Sequence, residues 1–145
     1  MGEVKPIQQT PSDDWFETVI AAHAEGIGVN EINRDRFNEV FDAFMSRSYD
    51  AAYAGFVELA EAGSSVCQYY LGVMFLEGKG ALQDFGLAHM WLNIASSRGH
   101  TKARKQLEKV TQRMSAKQVA DAQKEARLWV AQFHVDQDRG SNSST

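Results

Sequence analysis

Proline is almost missing from this chain. Only Pro6 and Pro11 occur, so nothing beyond residue 12 forbids a helix on proline grounds. Cysteine is rarer still. The lone Cys67 excludes an internal disulfide and any multi-cysteine metal site, and it fits a reducing compartment. Long apolar runs are also lacking; none approaches the roughly 20 residues that span a bilayer. The opening Met1-Gly2-Glu3-Val4-Lys5-Pro6 does not have the charged-then-apolar order of a signal peptide. Pro6 also stands where an N-myristoylation pattern requires Ser or Thr. These absences lead us to expect a soluble chain, cytoplasmic unless a signal peptide has been removed.

What is present suffices for one core. With 145 residues and 43% hydrophobic side chains, a single domain is the simplest organisation. The net charge of −4 is unevenly spread. Residues 1–62 carry 4 basic against 12 acidic side chains, a balance of −8. Residues 101–127 carry 8 basic against 3 acidic, a balance of +5. Such a chain is polarised end to end, which steers partners or favours head-to-tail association; otherwise the basic residues form a solvated helix face.

Helical periodicity runs through most of the sequence. Residues 1–11 read as a flexible arm and residues 136–145, closing on Gly140-Ser141-Asn142-Ser143-Ser144-Thr145, as a flexible tail. Between them, residues 12–135 read as one helical domain of seven helices without a convincing strand. Ser12, with Asp13 and Asp14, suits the start of the first helix, which carries Trp15, Phe16, Val19 and Ile20 and stops at Gly26 and Gly28. Asn33 is placed to cap the next, whose Phe37, Val40, Phe41 and Phe44 recur at i, i+3, i+4 and i+7. Asp84 suits a cap or first turn. Ser115-Ala116-Lys117-Gln118 has the form of a capping box that opens the last helix.

The middle of the chain repeats. At a shift of 36 residues Tyr49 overlays Phe85, Ala52 overlays Ala88, Phe56 overlays Leu92 and Gly63 overlays Gly99. Cys67 then overlays Ala103, and Leu71 overlays Leu107. Each pair keeps its size class. A period in the mid-thirties is that of a two-helix solenoid unit, which cannot bury its apolar face alone and must stack. Gly72 and Ala88 fall where the helices of one unit have to approach closely.

The spaced series Cys67-x3-Leu71-Gly72-x2-Phe75-x2-Gly78-x-Gly80-Ala81-x2-Asp84-x3-Ala88-x2-Trp91-Leu92-x2-Ala95-x3-Gly99-His100 resembles a Sel1-like repeat, a relative of the tetratricopeptide repeat. Phe75, Ala81 and Ser96 depart from the usual tyrosine, valine and alanine. The resemblance covers one full unit, residues 64–99, about a quarter of the chain. The flanks are degenerate: Gly55 stands where Trp91 does, and Glu108 where the Leu-Gly glycine does. Met114 to Ala126 is similar to the helix that closes bacterial proteins of this type. Residues 1–32 resemble nothing of the kind.

The resemblance implies an all-α fold, a short right-handed α-α superhelix of helical hairpins with extra N- and C-terminal helices. It also implies a non-catalytic adaptor or scaffold, bacterial in source, that binds a partner peptide or domain on its concave face. Gln68, Tyr69 and Val73 are the candidate contact residues, with Tyr70 packed and Tyr69 exposed. The alternatives are a self-associating structural module and a cysteine-dependent hydrolase using Cys67 with His100. Cys67, however, holds the small, helix-facing position that Ala103 takes one period later. Asp84, His89 and His100 lack the spacing of a compact metal motif. Glu77-Gly78-Lys79-Gly80 follows a helix and lacks the phosphate-binding frame. No catalytic, cofactor or metal residue is therefore assigned, and neither nucleic acid nor a membrane is expected as a partner.

Overall fold

The computed structural model describes residues 31–143, with side chains described from 34 to 139. The expected arm at 1–11 and the helix expected after Ser12 lie outside the described residues. Six helices follow in order: α1 (Glu31–Met45), α2 (Tyr49–Glu61), α3 (Ser65–Glu77), α4 (Phe85–Ser97), α5 (Thr101–Thr111) and α6 (Ala116–Ser143). There is no strand among the described residues, so the fold is all-α. Asn33 lies inside α1 rather than at its cap, since that helix starts at Glu31.

The period of 36 is visible in backbone hydrogen bonds. After α2, the Ser64 amide donates to the Leu59 carbonyl at 3.1 Å and the Gly63 amide to Ala60 at 3.0 Å. After α4, His100 donates to Ala95 at 3.1 Å and Gly99 to Ser96 at 3.0 Å. The turn residues have φ of +106° at Gly63 and +96° at Gly99, where a side chain would be strained. A Cβ on Gly99 would meet nothing, so conformation alone requires glycine there. The next helix is capped alike in both units. Ser64 Oγ accepts from the Cys67 amide at 3.2 Å, and His100 Nδ1 accepts from the Ala103 amide at 3.2 Å.

Other boundaries follow from local chemistry. Asp84 Oδ1 accepts from the Leu87 amide at 2.9 Å and starts α4. At α6 both halves of the capping box form: the Gln118 amide donates to Ser115 Oγ at 3.1 Å, and the Ser115 amide to Gln118 Oε1 at 2.8 Å. The tail expected from residue 136 is instead helical to Ser143. No proline interrupts it, and Gly140 alone costs a helix only about 1 kcal/mol relative to Ala.

α1 packs on α2, α2 on α3, α3 on α4 and α4 on α5, while α6 returns to pack on α4. Small residues set the spacing. A Cβ on Gly72 would lie 2.7 Å from Leu92 Cγ and 3.3 Å from the Leu92 backbone nitrogen, so α3 and α4 meet nearly backbone to backbone. Ala88, on the same seam, is fully buried. In the preceding hairpin Gly55 of α2 is pressed against the Val40 side chain of α1. Phe56 fills the region beyond, stacked on Tyr70 at 5.3 Å and meeting the edge of Phe44 at 5.8 Å. Gly55→Ala is expected to destabilise by about 1–3 kcal/mol, because Val40 is β-branched and a helix strongly favours one of its rotamers. Adding Val40→Ala should recover part of that loss. A double-mutant cycle by urea unfolding checks it, and simple additivity would show that the two side chains do not meet.

Candidate functional site

The three residues chosen as a contact surface sit on α3, and the structure withdraws two of them. Gln68 is fully buried and its Nε2 donates to the Ala60 carbonyl at 3.1 Å. Tyr69 is 9% exposed, its ring stacked on His100 at 4.6 Å and an interplanar angle of 19°. Val73 is half-buried. Tyr69 is therefore not the exposed partner of a packed Tyr70; both are in the core. The two rings meet edge to face at 5.0 Å, Tyr70 lying against Phe56 of α2 and Tyr69 against His100 at the start of α5. A helix apolar all round is a core helix, and between Ser65 and Glu77 the only charge is Glu77 itself.

Cys67 lies at the same depth. It is fully buried, and loss of hydration pushes its thiol up to about 12, with the Ser64 contact opposing only in part. His100 is 8% exposed; burial and then the charge of Lys102 lower it to about 4. Its Nδ1 is already committed to the Ala103 amide, which leaves no lone pair to take a proton from a thiol. Cys67 should accordingly react with iodoacetamide about a thousandfold more slowly in the native chain than in urea, since thiolate is the attacking form. Mass spectrometry of timed samples reads this; equal rates would mean the thiol is open to solvent.

The glycine loop after α3 is closed as well. A Cβ on Gly80 would come within 2.6 Å of the Tyr49 carbonyl oxygen. Lys79 pairs with Glu77 at 3.2 Å and lies over the Tyr49 ring at 5.5 Å. No group of three His, Cys, Asp or Glu side chains among the described residues is arranged to hold a metal. No helix among them is long and apolar enough to cross a membrane.

A cleft is open among the described residues. It lies between the N-terminal parts of α4 and α6 and has a volume of about 360 Å³. Leu87, Met90 and Ala122 give it apolar walls, and Asp84, Asp121 and Glu125 stand around them. Gly86 keeps one wall low, since a Cβ there would meet only Asp84 Oδ1, at 3.3 Å. Leu82, in the loop leading into α4, is 91% exposed, and Leu87 is 38% exposed. The sequence pattern puts Leu87 on the apolar stripe of α4 and passes over Leu82. Leu82 was detectable as a leucine in a glycine-bounded loop with no helical partner position. The convergence of Asp84 with Asp121 and Glu125 was not, because it depends on how α6 crosses α4.

Comparison with protein-family models, with curated proteins and with solved structures gives no match to this chain.

Proposed function

We propose that the chain is a non-catalytic interaction module of the Sel1-like, tetratricopeptide-like type. In this reading its hairpins continue as a short right-handed superhelix that binds a segment or domain of a partner protein in a bacterial cell. The observation that carries the reading is the recurrence, 36 residues apart, of the same turn and the same cap at Gly63-Ser64 and Gly99-His100. Stacked units of this kind present an extended surface and serve recognition more often than chemistry, although fold alone does not fix function. The burial of Cys67 supports the same side of the choice, because the chain's one cysteine is held as a neutral thiol. The test is photo-crosslinking in the source cell, with a photoreactive residue at exposed positions of α4 or α6, followed by mass spectrometry. A single reproducible partner supports the reading; crosslinks to none, or a turnover lost with Cys67→Ser, overturns it.

A second reading has its own support. The acidic N-terminal half and the basic stretch from Lys102 to Arg127 suit head-to-tail self-association. Sedimentation across salt concentration separates the two, because screening weakens a charge-driven oligomer.

A further inference from the structure

We propose that the cleft between α4 and α6 is the docking site for a basic segment of a partner protein, which seats one apolar side chain between Leu87, Met90 and Ala122 and places a Lys or Arg beside Glu125. This rests on the interaction-module reading and names its site.

The cleft has the size and lining for one large side chain. Its volume of about 360 Å³ is at the small end of ligand pockets, and Leu87, Met90 and Ala122 line it together with Asp84, Gln118, Asp121 and Glu125. Met90 is half-buried and unbranched, so it can adjust to more than one occupant.

Charge selects the flanking residue. Asp84 spends Oδ1 on the α4 amides through Leu87. Asp121 Oδ2 is shared with Lys117 at 2.9 Å, a pair whose side chains are 63% and 84% exposed. Glu125, one turn further along α6, has no ion pair among the described residues. An acidic segment would meet three carboxylates; a basic one meets the unspent Glu125 and can compete for Asp121. A second copy of the chain is the poorer occupant. One leucine entering one cleft falls well below the roughly 1,000 Å² that a specific dimer buries.

The probes are two pentapeptides, acetyl-Ala-Arg-Leu-Arg-Ala-amide and its Glu-for-Arg counterpart, titrated into the full ¹⁵N-labelled chain. Shifts confined to residues 84–90 and 118–125, with the basic peptide bound at least several-fold more tightly, support the proposal. Glu125→Lys should weaken the basic peptide about tenfold, and Leu87→Ser should weaken it while leaving the preference for basic over acidic. Both positions are exposed, so circular dichroism should be unchanged. Shifts elsewhere, equal binding of both peptides, or indifference to Glu125→Lys overturn it. So does a dimer, seen by sedimentation, that disappears with Glu125→Lys, since the occupant is then a second copy. If the cellular partner crosslinks equally well to Glu125→Lys, the cleft is the wrong site while the interaction reading stands. If the wild-type chain crosslinks to no partner, it is the interaction reading that fails.

Discussion

Trp91→Ala is expected to cost about 3–5 kcal/mol, the usual range for removing a buried indole. That is a large share of the roughly 5–15 kcal/mol that holds a domain of this size folded. The melting temperature should fall by on the order of 10 °C or more. The indole is 5% exposed and meets the edge of Trp129 at 5.4 Å and 69°. Trp129 in turn donates from Nε1 to Glu61 Oε1 at 2.7 Å and stacks on Phe133 at 5.1 Å. Phe133 covers the turn at Gly63, where a Cβ would lie 2.6 Å from its ring. One line of aromatic contacts therefore runs from α4 through α6 to the end of α2. Removing Trp91 takes away the support of Trp129, so α6 should loosen before the hairpins do. Amide hydrogen exchange should show α6 losing protection first. In a double-mutant cycle Trp91→Ala and Trp129→Ala should couple by about 0.5–1.5 kcal/mol. A loss under about 1 kcal/mol for Trp91→Ala alone would show that α6 does not depend on this seam.

Much of this architecture was legible because it is written locally. Ser115 and Gln118 stand three apart, and the two hydrogen bonds they form involve no residue outside that turn. Gly63 and Gly99 announce their turns for the same reason: the left-handed backbone they adopt is a property of one residue. Gly72 was legible at one remove. Its role needs a partner helix, yet the repeat supplies that helix at a known spacing, and Leu92 is where it comes closest.

What the sequence could not display is how many neighbours a helix has. A stripe of apolar residues says which side is buried when only one is. For α3 the stripe reads Tyr70, Leu71 and Met74 inward and leaves Tyr69 over. The actual α3 is covered by more than one neighbour, so Tyr69 packs on His100, the residue that caps α5, rather than facing a ligand. The far end of α6 reads as a tail for the converse reason, yet it is helical to Ser143. Exposed helix with few apolar residues looks like tail, since what lets it stay helical is the absence of any residue that would break it. The α4–α6 cleft depends on a crossing between elements some 30 residues apart in sequence, and periodicity carries no information about such crossings.

Acid should weaken this fold through His100. The imidazole is lowered from its ordinary 6.5 to about 4, first by burial and then by Lys102. Geometry explains why the neutral form is required. Nδ1 accepts from the Ala103 amide at 3.2 Å, so the ring proton is on Nε2. A second proton would go to Nδ1, oppose the amide it caps, and put a charge between Tyr69 and the α5 backbone. The sign follows from proton counting. Between pH 6.5 and 4 the unfolded chain binds a proton at this residue and the folded chain does not. Stability contributed here is thus complete above 6.5 and lost as pH falls through that window. A separation of about 2.5 pH units, at about 1.4 kcal/mol for each, amounts to about 3 kcal/mol. His89 is lowered by burial too and adds in the same direction. Carboxylates titrate in the same range, so the comparison needs a variant. His100→Asn keeps a good N-cap but cannot be protonated. It should be less stable than wild type at pH 7.5, through loss of the Tyr69 stack, and should lose about 2–3 kcal/mol less between pH 7.5 and 4.5 in urea titrations. Parallel losses in the two proteins would mean that the imidazole titrates as it does in water, and that α5 does not need it neutral.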